Sequence, residues 1–244
     1  MPEHWPVSII IPTLNEEDDI EDLLLTLTAI PDIEVIVCDG GSTDGTCAIC
    51  ARYPVKLVES LPGRGLQLNA GAASASGDIL FFLHADSKIE PPLIHEMCRA
   101  VEAGHKWGCC TLSFDNQALI FKMIAWQSNL RARLFSMCYG DQGIFCIREL
   151  FDAAGQYPLT VFLEDIALSD RLRRQRPARI LKGIIKTSSR RFLKYGVIRT
   201  IIKMQMVKIM YRLGVNPERL IKWYHPPGNE VRYENSRNNY ESCS

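Results

Sequence analysis

A chain of 244 residues, 47% of them hydrophobic, can bury the core of one large α/β domain. No run approaches the ~18 uninterrupted apolar residues of a membrane-spanning helix. The N-terminus shows no basic region followed by an apolar run, so no signal peptide and a cytoplasmic location are expected. The nine cysteines are an odd count and mostly sit inside apolar runs (Cys38, Cys146) or helical patterns (Cys98), which suits reduced thiols acting as small hydrophobes.

The net charge of zero hides a division. Residues 171–222 hold 16 of the 28 Lys and Arg with a single acid, Glu218, leaving the rest of the chain acidic. This basic block can be a solvated face, or it can attract phosphates on a substrate or on anionic lipid. No nucleic-acid-binding module or aromatic stacking platform accompanies the charge, so nucleic acid is not an expected partner.

In chain order, Ser8 to Ile11 reads as a buried strand that breaks into the polar turn Pro12-Thr13-Leu14-Asn15-Glu16-Glu17. Asp18 to Ile30 follows as a helix, with Ile20, Leu23, Leu24 and Leu27 at helical spacing. Glu34 to Asp39 is a second buried strand, continuing into Gly40-Gly41-Ser42-Thr43-Asp44-Gly45-Thr46. Strand, helix, strand, each strand ending in Asn or Asp, opens a Rossmann-like nucleotide-binding half. The turn after Asp39 lacks the glycine and ligand positions of an EF-hand, and Gly63-Arg64-Gly65 is neither a dinucleotide fingerprint nor a P-loop. Cys47-x-x-Cys50 has no second pair at zinc spacing and reads as part of a helix.

The run from Gly77 to Ser87 carries most information. Leu80 to Leu83 is a strand covered on both faces, and it stops at His84-Ala85-Asp86. A carboxylate at the C-terminal end of such a strand lies where open α/β sheets bind ligands, and a hard oxygen donor there can hold a divalent cation against phosphate oxygens. Gln117 to Phe135 is a further helix; its Trp126 can stack on an acceptor or fill the core. Tyr139 to Gly143 is a tight polar turn before the apolar Ile144 to Ile147, read as a substrate-facing loop. In Phe162-Leu163-Glu164-Asp165 the adjacent carboxylates must point apart, one toward substrate and one anchoring the loop or capping the next helix. Val197 to Leu213 reads as a basic amphipathic helix with its apolar residues mostly on one face, expected to pack on its own domain or to lie on a membrane surface.

The segments IPTLNEE (11–17), VCDGGSTDGT (37–46), GRGLQLNAGAASASGDILFFLHADS (63–87), YGDQGIFCIRELFDAAGQYP (139–158) and FLEDIALSDRLRR (162–174) together resemble family 2 glycosyltransferases of the GT-A fold. The GDQG and SSRRF segments further resemble a bacterial subfamily labelled arsenosugar-biosynthesis or radical-SAM-associated glycosyltransferases. The resemblance implies an α/β fold with a central, mostly parallel Rossmann-like sheet flanked by helices. It places a GT-A domain at 1–195, with a nucleotide-binding half at about 1–90 and an acceptor half at about 91–195. A basic helical extension would follow at 196–230 and a disordered tail at 231–244.

By the same resemblance, Pro12, Thr13, Asn15 and Glu16 face the base and ribose of a nucleotide-sugar donor. Asp39 orients the ribose or a metal's water shell, and Arg64 and Asn69 lie along the diphosphate. Asp86 holds Mn²⁺ or Mg²⁺. His84 replaces the first Asp of the family's Asp-x-Asp and serves ribose or phosphate, or the metal. Asp165 is the general base of an inverting transfer, with Trp126, Asp141, Gln142 and Glu164 on the acceptor side. Read from the residues themselves, Arg190 and Arg191 after Ser188-Ser189 either close over the diphosphate or, more simply, lie solvated at the surface. The alternatives are a nucleotidyltransferase on a related scaffold and a non-catalytic sugar-nucleotide-binding module.

Overall fold

The computed structural model describes residues 6–160 and 162–224. The expected tail at 231–244 and the end of the extension at 225–230 lie outside the described residues. β1 (Val7–Thr13) is buried at all seven positions, as its β-branched run requires. It pairs in parallel with β2 (Ile33–Asp39), from Val7 opposite Ile33 to Thr13 opposite Asp39, so the two strands finish side by side. Between them α1 (Ile20–Thr28) buries Ile20, Leu23, Leu24 and Leu27, the stripe read from the sequence. After α2 (Thr46–Cys50) and β3 (Lys56–Glu59), α3 (Arg64–Ser74) lies tightly on the sheet. A Cβ at Gly71 would collide with Ile10 and Cys38, so this close approach needs glycine.

β4 (Ile79–Phe82), buried at every position, pairs in parallel with β1 on the side opposite β2. Then follow α4 (Pro92–Glu102), β5 (Trp107–Phe114), α5 (Leu119–Phe135), a 3₁₀ turn at Gly140–Gln142, β6 (Ile144–Ile147) and α6 (Arg148–Ala153). The last elements are α7 (Glu164–Gln175), β7 (Arg179–Thr187), α8 (Arg190–Tyr195), α9 (Val197–Arg212) and α10 (Pro217–Tyr224). The seven strands order β3-β2-β1-β4-β6-β5-β7, with β6 antiparallel to both neighbours. This is the mostly parallel, helix-flanked sheet expected.

One consequence positions the site. The parallel strands all end at one edge, and β6, running the other way, begins there, with Ile144 opposite Phe82. Residues 14–17, 40–46, 83–87, 140–143 and 188–190 therefore converge at that edge. The strand order reverses between β2-β1 and β1-β4, the place where open α/β sheets form a ligand crevice.

The C-terminal helices depart from the single-faced reading. Val197, Ile201 and Met204 of α9 pack on the main core. Val207, with Leu220 and Tyr224 of α10, clusters around Tyr139, Leu163 and Ile166. Met210 and Tyr211 pack against the same cluster, whereas Ile198, Ile202, Met206 and Ile209 of α9 are exposed, as is Leu213 just beyond it, with Ile198 71% and Leu213 79% exposed. The apolar residues thus divide between two faces, because a 3.6-residue period marks a stripe without saying what covers it. No helix among the described residues is long and apolar enough to cross a membrane.

Candidate active site

The loop after β2 is built on Asp39. Its Oδ2 accepts the backbone N–H groups of Gly41 and Ser42, both at 2.8 Å, and its Oδ1 accepts the hydroxyls of Ser42 and Thr13. The carboxylate expected to orient a ribose is thus occupied in shaping its own turn. Thr13 is buried, with its hydroxyl turned to Asp39, and Pro12 is buried beside Cys38. Asn15 adopts a left-handed backbone (φ 57°), and its side-chain oxygen accepts the N–H of Thr43 at 2.8 Å, lashing the first loop to the second. Gln67 is a functional support that sequence reading missed. Buried on α3, its Nε2 donates to the carbonyls of Thr13 at 2.7 Å and Cys38 at 2.9 Å, clamping the ends of β1 and β2.

At the end of β4, Asp86 is partly buried among acidic neighbours. Burial, followed by the Asp86 and Asp19 carboxylates, raises the Glu16 pKa to about 7. Asp86 is itself raised, chiefly by burial, with Arg64 and Arg190 opposing. Arg190 reaches into this corner and pairs with Asp19 at 2.7 Å, whereas Arg191 turns away to the hydroxyl of Tyr224. Burial, assisted by the Arg64 charge, pushes the His84 imidazole well below its ordinary value, so it is neutral. Among the described residues no group of three or more His, Cys, Asp or Glu is placed to hold a metal. Asp86 can therefore offer one protein ligand in an acidic setting. That fits Mg²⁺ or Mn²⁺ taken together with substrate phosphates, since such ions commonly use one or two carboxylates and complete their shell with phosphate and water.

Glu164 and Asp165 start α7 and point apart as expected. The residue before them, Leu163, holds a left-handed φ of 64°, a strain that neighbouring packing must sustain. Glu164 is buried and faces Arg64, with Nε to Oε1 at 3.7 Å; burial and the adjacent Asp165 raise its pKa. Asp165 turns the other way and accepts the N–H of Gly140 at 2.8 Å. A Cβ on Gly140 would stand 2.7 Å from His84 Nε2 and 3.4 Å from Asp165 Oδ2, which puts the imidazole and the carboxylate around one glycine.

The remaining expected residues have varied positions. Asn69 is engaged at both ends of its amide with the backbone of Tyr157, tying α3 to the loop before α7. Gln142 is fully buried and accepts from Arg131 at 2.7 Å, so it braces rather than faces the cleft. Asp141 has a buried Oδ1 with no hydrogen-bond partner among the described residues. Trp126 is 66% exposed on α5, so it is not a core residue.

Comparison with known proteins bears on the family and the fold. Residues 8–150 match the family described as "Glycosyl transferase family 2". A dolichol-phosphate mannosyltransferase of Pyrococcus furiosus is 32% identical over 107 residues, covering 40% of this chain and 30% of that protein. Glucosyl-3-phosphoglycerate synthase of Mycobacterium tuberculosis is 33% identical over 92 residues, 33% of this chain and 28% of the synthase. The chain thus spans about a third of the length of these two relatives. Among solved structures, S. aureus TarS 1–349 in complex with UDP-GlcNAc superposes with a TM-score of 0.61 at 18% identity, covering 75% of this chain and 58% of that one. The M. tuberculosis synthase in complex with Mn²⁺, UDP and glucosyl-3-phosphoglycerate gives 0.53 at 22%, covering 75% and 70%. At these identities the superpositions speak to fold alone. The matched region exceeds half the chain and carries the β1, β2 and β4 edge motifs, and the chain belongs to glycosyl transferase family 2.

Proposed function

We propose that this chain is an inverting glycosyltransferase that moves a sugar from a nucleoside-diphosphate donor, UDP- or GDP-linked, to an acceptor hydroxyl. The observation that carries the reading is the meeting of Asp165, Gly140 and His84 at the sheet edge where β4 delivers Asp86. UDP is the first donor class to test, because the solved relatives hold UDP or UDP-GlcNAc. The donor's base and ribose lie over the Asn15 and Asp39 loops and its diphosphate near Arg64 and Asp86. Mn²⁺ or Mg²⁺ on Asp86 would neutralise the departing diphosphate. Arg64 and Arg190 add positive charge on the same side.

Asp165 takes the proton of the acceptor hydroxyl as that oxygen attacks the anomeric carbon and the bond to the diphosphate breaks. Gly140 N–H fixes the orientation of the base, and the neutral His84 can donate or accept one hydrogen bond beside it. Attack from the face opposite the leaving group inverts the configuration, and a single carboxylate base suffices. The GDQG and SSRRF segments favour the arsenosugar or radical-SAM-associated subfamily as the cellular setting. Exposed apolar residues on α9, interspersed with Arg199, Lys203 and Arg212, favour a peripheral contact with anionic membrane.

Calorimetric titration of UDP and GDP, with and without Mn²⁺, tests this on the wild type and Asp86→Ala. Metal-dependent binding of one nucleotide, lost in the variant, is expected. Absence of binding by both nucleotides would remove the donor assignment.

A further inference from the structure

A cavity of about 370 Å³ opens between α5, α9 and the Tyr139–Asp141 turn, on the acceptor side of the cleft. That volume lies at the small end of ordinary ligand pockets. Its polar wall is unusual. Arg131, Lys208 and Arg212 all line it, against one carboxylate, Asp141. The three cations surround Tyr139: the Arg131 guanidinium stacks 3.5 Å from the ring centroid, Lys208 Nζ stands at 4.6 Å, and Arg212 approaches the phenol oxygen at 3.5 Å. Arg131 is held in place by hydrogen bonds to the Met137 carbonyl at 3.1 Å and to Gln142 Oε1 at 2.7 Å. Lys208 forms no ion pair among the described residues.

The opposite wall is apolar, with Phe114, Ile124, Phe192 and Ile201. Beyond it the rim stays greasy, since Phe135 and Ile209 line the cavity yet are 58% and 57% exposed. The cavity is linked to the proposed base through the Tyr139–Asp141 turn. Asp141 lines it, and the preceding residue, Gly140, gives its N–H to Asp165.

A pocket with three cations, one acid and an apolar wall suits an anion better than a neutral sugar. The surplus of two positive charges matches a dianion, and arginine forks are suited to phosphate oxygens. We infer that this cavity seats an acceptor bearing a phosphate group on an apolar body, with the phosphate held by Arg131, Lys208 and Arg212 and the hydroxyl to be glycosylated presented to Asp165. The inference rests on the glycosyl-transfer reading for the role of the ligand, but not for its binding. A phosphorylated lipid and a soluble phosphate ester share this chemistry.

The test uses the full chain and hexyl phosphate as probe, with hexanol as the uncharged control, titrated calorimetrically beside UDP with Mn²⁺. Hexyl phosphate is expected to bind at least about tenfold more tightly than hexanol. Lys208→Met should weaken it by about tenfold while leaving UDP affinity within about twofold. Arg212→Gln, at an exposed position where folding is not at risk, is the second variant and should act in the same direction. Equal affinity for phosphate and alcohol, or no loss in either variant, would overturn the inference. Failure of UDP binding with hexyl phosphate binding retained would sink the donor reading and leave the cavity assignment standing. Sedimentation with phosphatidylcholine vesicles, with and without phosphatidic acid, separates the sources. Lys208-dependent capture by phosphatidic acid identifies a lipid phosphate, and hexyl phosphate binding without vesicle capture identifies a soluble ester.

Discussion

The backbone N–H of Gly140 donates to Asp165 Oδ2 at 2.8 Å, joining two segments 25 residues apart, while His84 Nε2 occupies the space a side chain at 140 would need. The proposed base, the Gly140 N–H that orients it and the strand-end imidazole are thus one interlocked unit. Gly140→Ala should displace the His84 ring or the turn. Overpacking of this kind costs about 1–3 kcal/mol, so the variant should fold with a lowered melting temperature. On the proposed mechanism, misplacing Asp165 should reduce turnover by about a hundredfold, with UDP affinity little changed. Turnover close to wild type would show that His84 and Asp165 need not be held this way.

Asp165→Asn keeps an oxygen to accept from Gly140 N–H but cannot take a proton at neutral pH. Turnover should fall by about 10²–10⁴-fold, the range general-base catalysis contributes. UDP binding should stay near wild type, while the melting temperature should fall modestly, because the Ile166 N–H that Oδ1 accepts at 2.8 Å would face an amide NH2. Undiminished turnover would move the base to another residue, and equal losses in binding and turnover would indicate a structural role.

Much of this arrangement was legible in the residues, for identifiable reasons. The runs at Ile9 to Ile11, Val35 to Val37 and Leu80 to Leu83 are apolar on both faces, so each declares a covered strand, and each ends where polarity resumes, at the edge where open α/β sheets bind ligands. The divergence of Glu164 and Asp165 follows from helix geometry alone. Other features needed the folded chain. Asp39 looks available in sequence, yet the Gly40–Ser42 backbone folds back to occupy it. Asn69 and Gln67 lie two residues apart in one motif, and only their contacts show that both serve as braces between elements. The Arg131–Tyr139–Lys208 stack joins residues up to 77 positions apart, and no local period announces it.

Gln67→Leu probes one of those braces. The substitution preserves bulk but withdraws the donor shared by Thr13 and Cys38 at the ends of β1 and β2. Loss of a buried donor facing carbonyls costs about 1–3 kcal/mol. For a domain of this size, at about 2–4 °C per kcal/mol, that corresponds to roughly 2–12 °C in melting temperature, read by thermal unfolding. On the proposed donor placement UDP affinity should fall as well, because the loops after β1 and β2 begin at the clamped strand ends. A variant with unchanged melting temperature would show that the strand ladder alone holds this edge.

Lys208 supplies a pH dependence whose sign can be worked out. Burial first, then the Arg131 and Arg212 charges, lower its pKa to about 8, while Asp141 and Asp165 oppose the shift. Burial pushes the Tyr139 phenol the other way, above its ordinary value, so the ring stacked on these cations stays neutral through the range. Lys208 is therefore charged below about 8 and loses its charge as pH rises through that value; a bound phosphate, by favouring the ammonium, moves the loss upward. An alkyl phosphate is already dianionic there, with its second pKa about 6–7. Hexyl phosphate affinity should fall about three- to tenfold between pH 7.5 and 10 in the wild type. Lys208→Arg, whose charge does not titrate in this range, should hold its affinity flat. Without ligand the sign reverses, because between about 8 and 10.5 the unfolded chain binds more protons and folding stability gains from this group as pH rises. A parallel decline in wild type and Lys208→Arg would assign the pH dependence to a group other than Lys208.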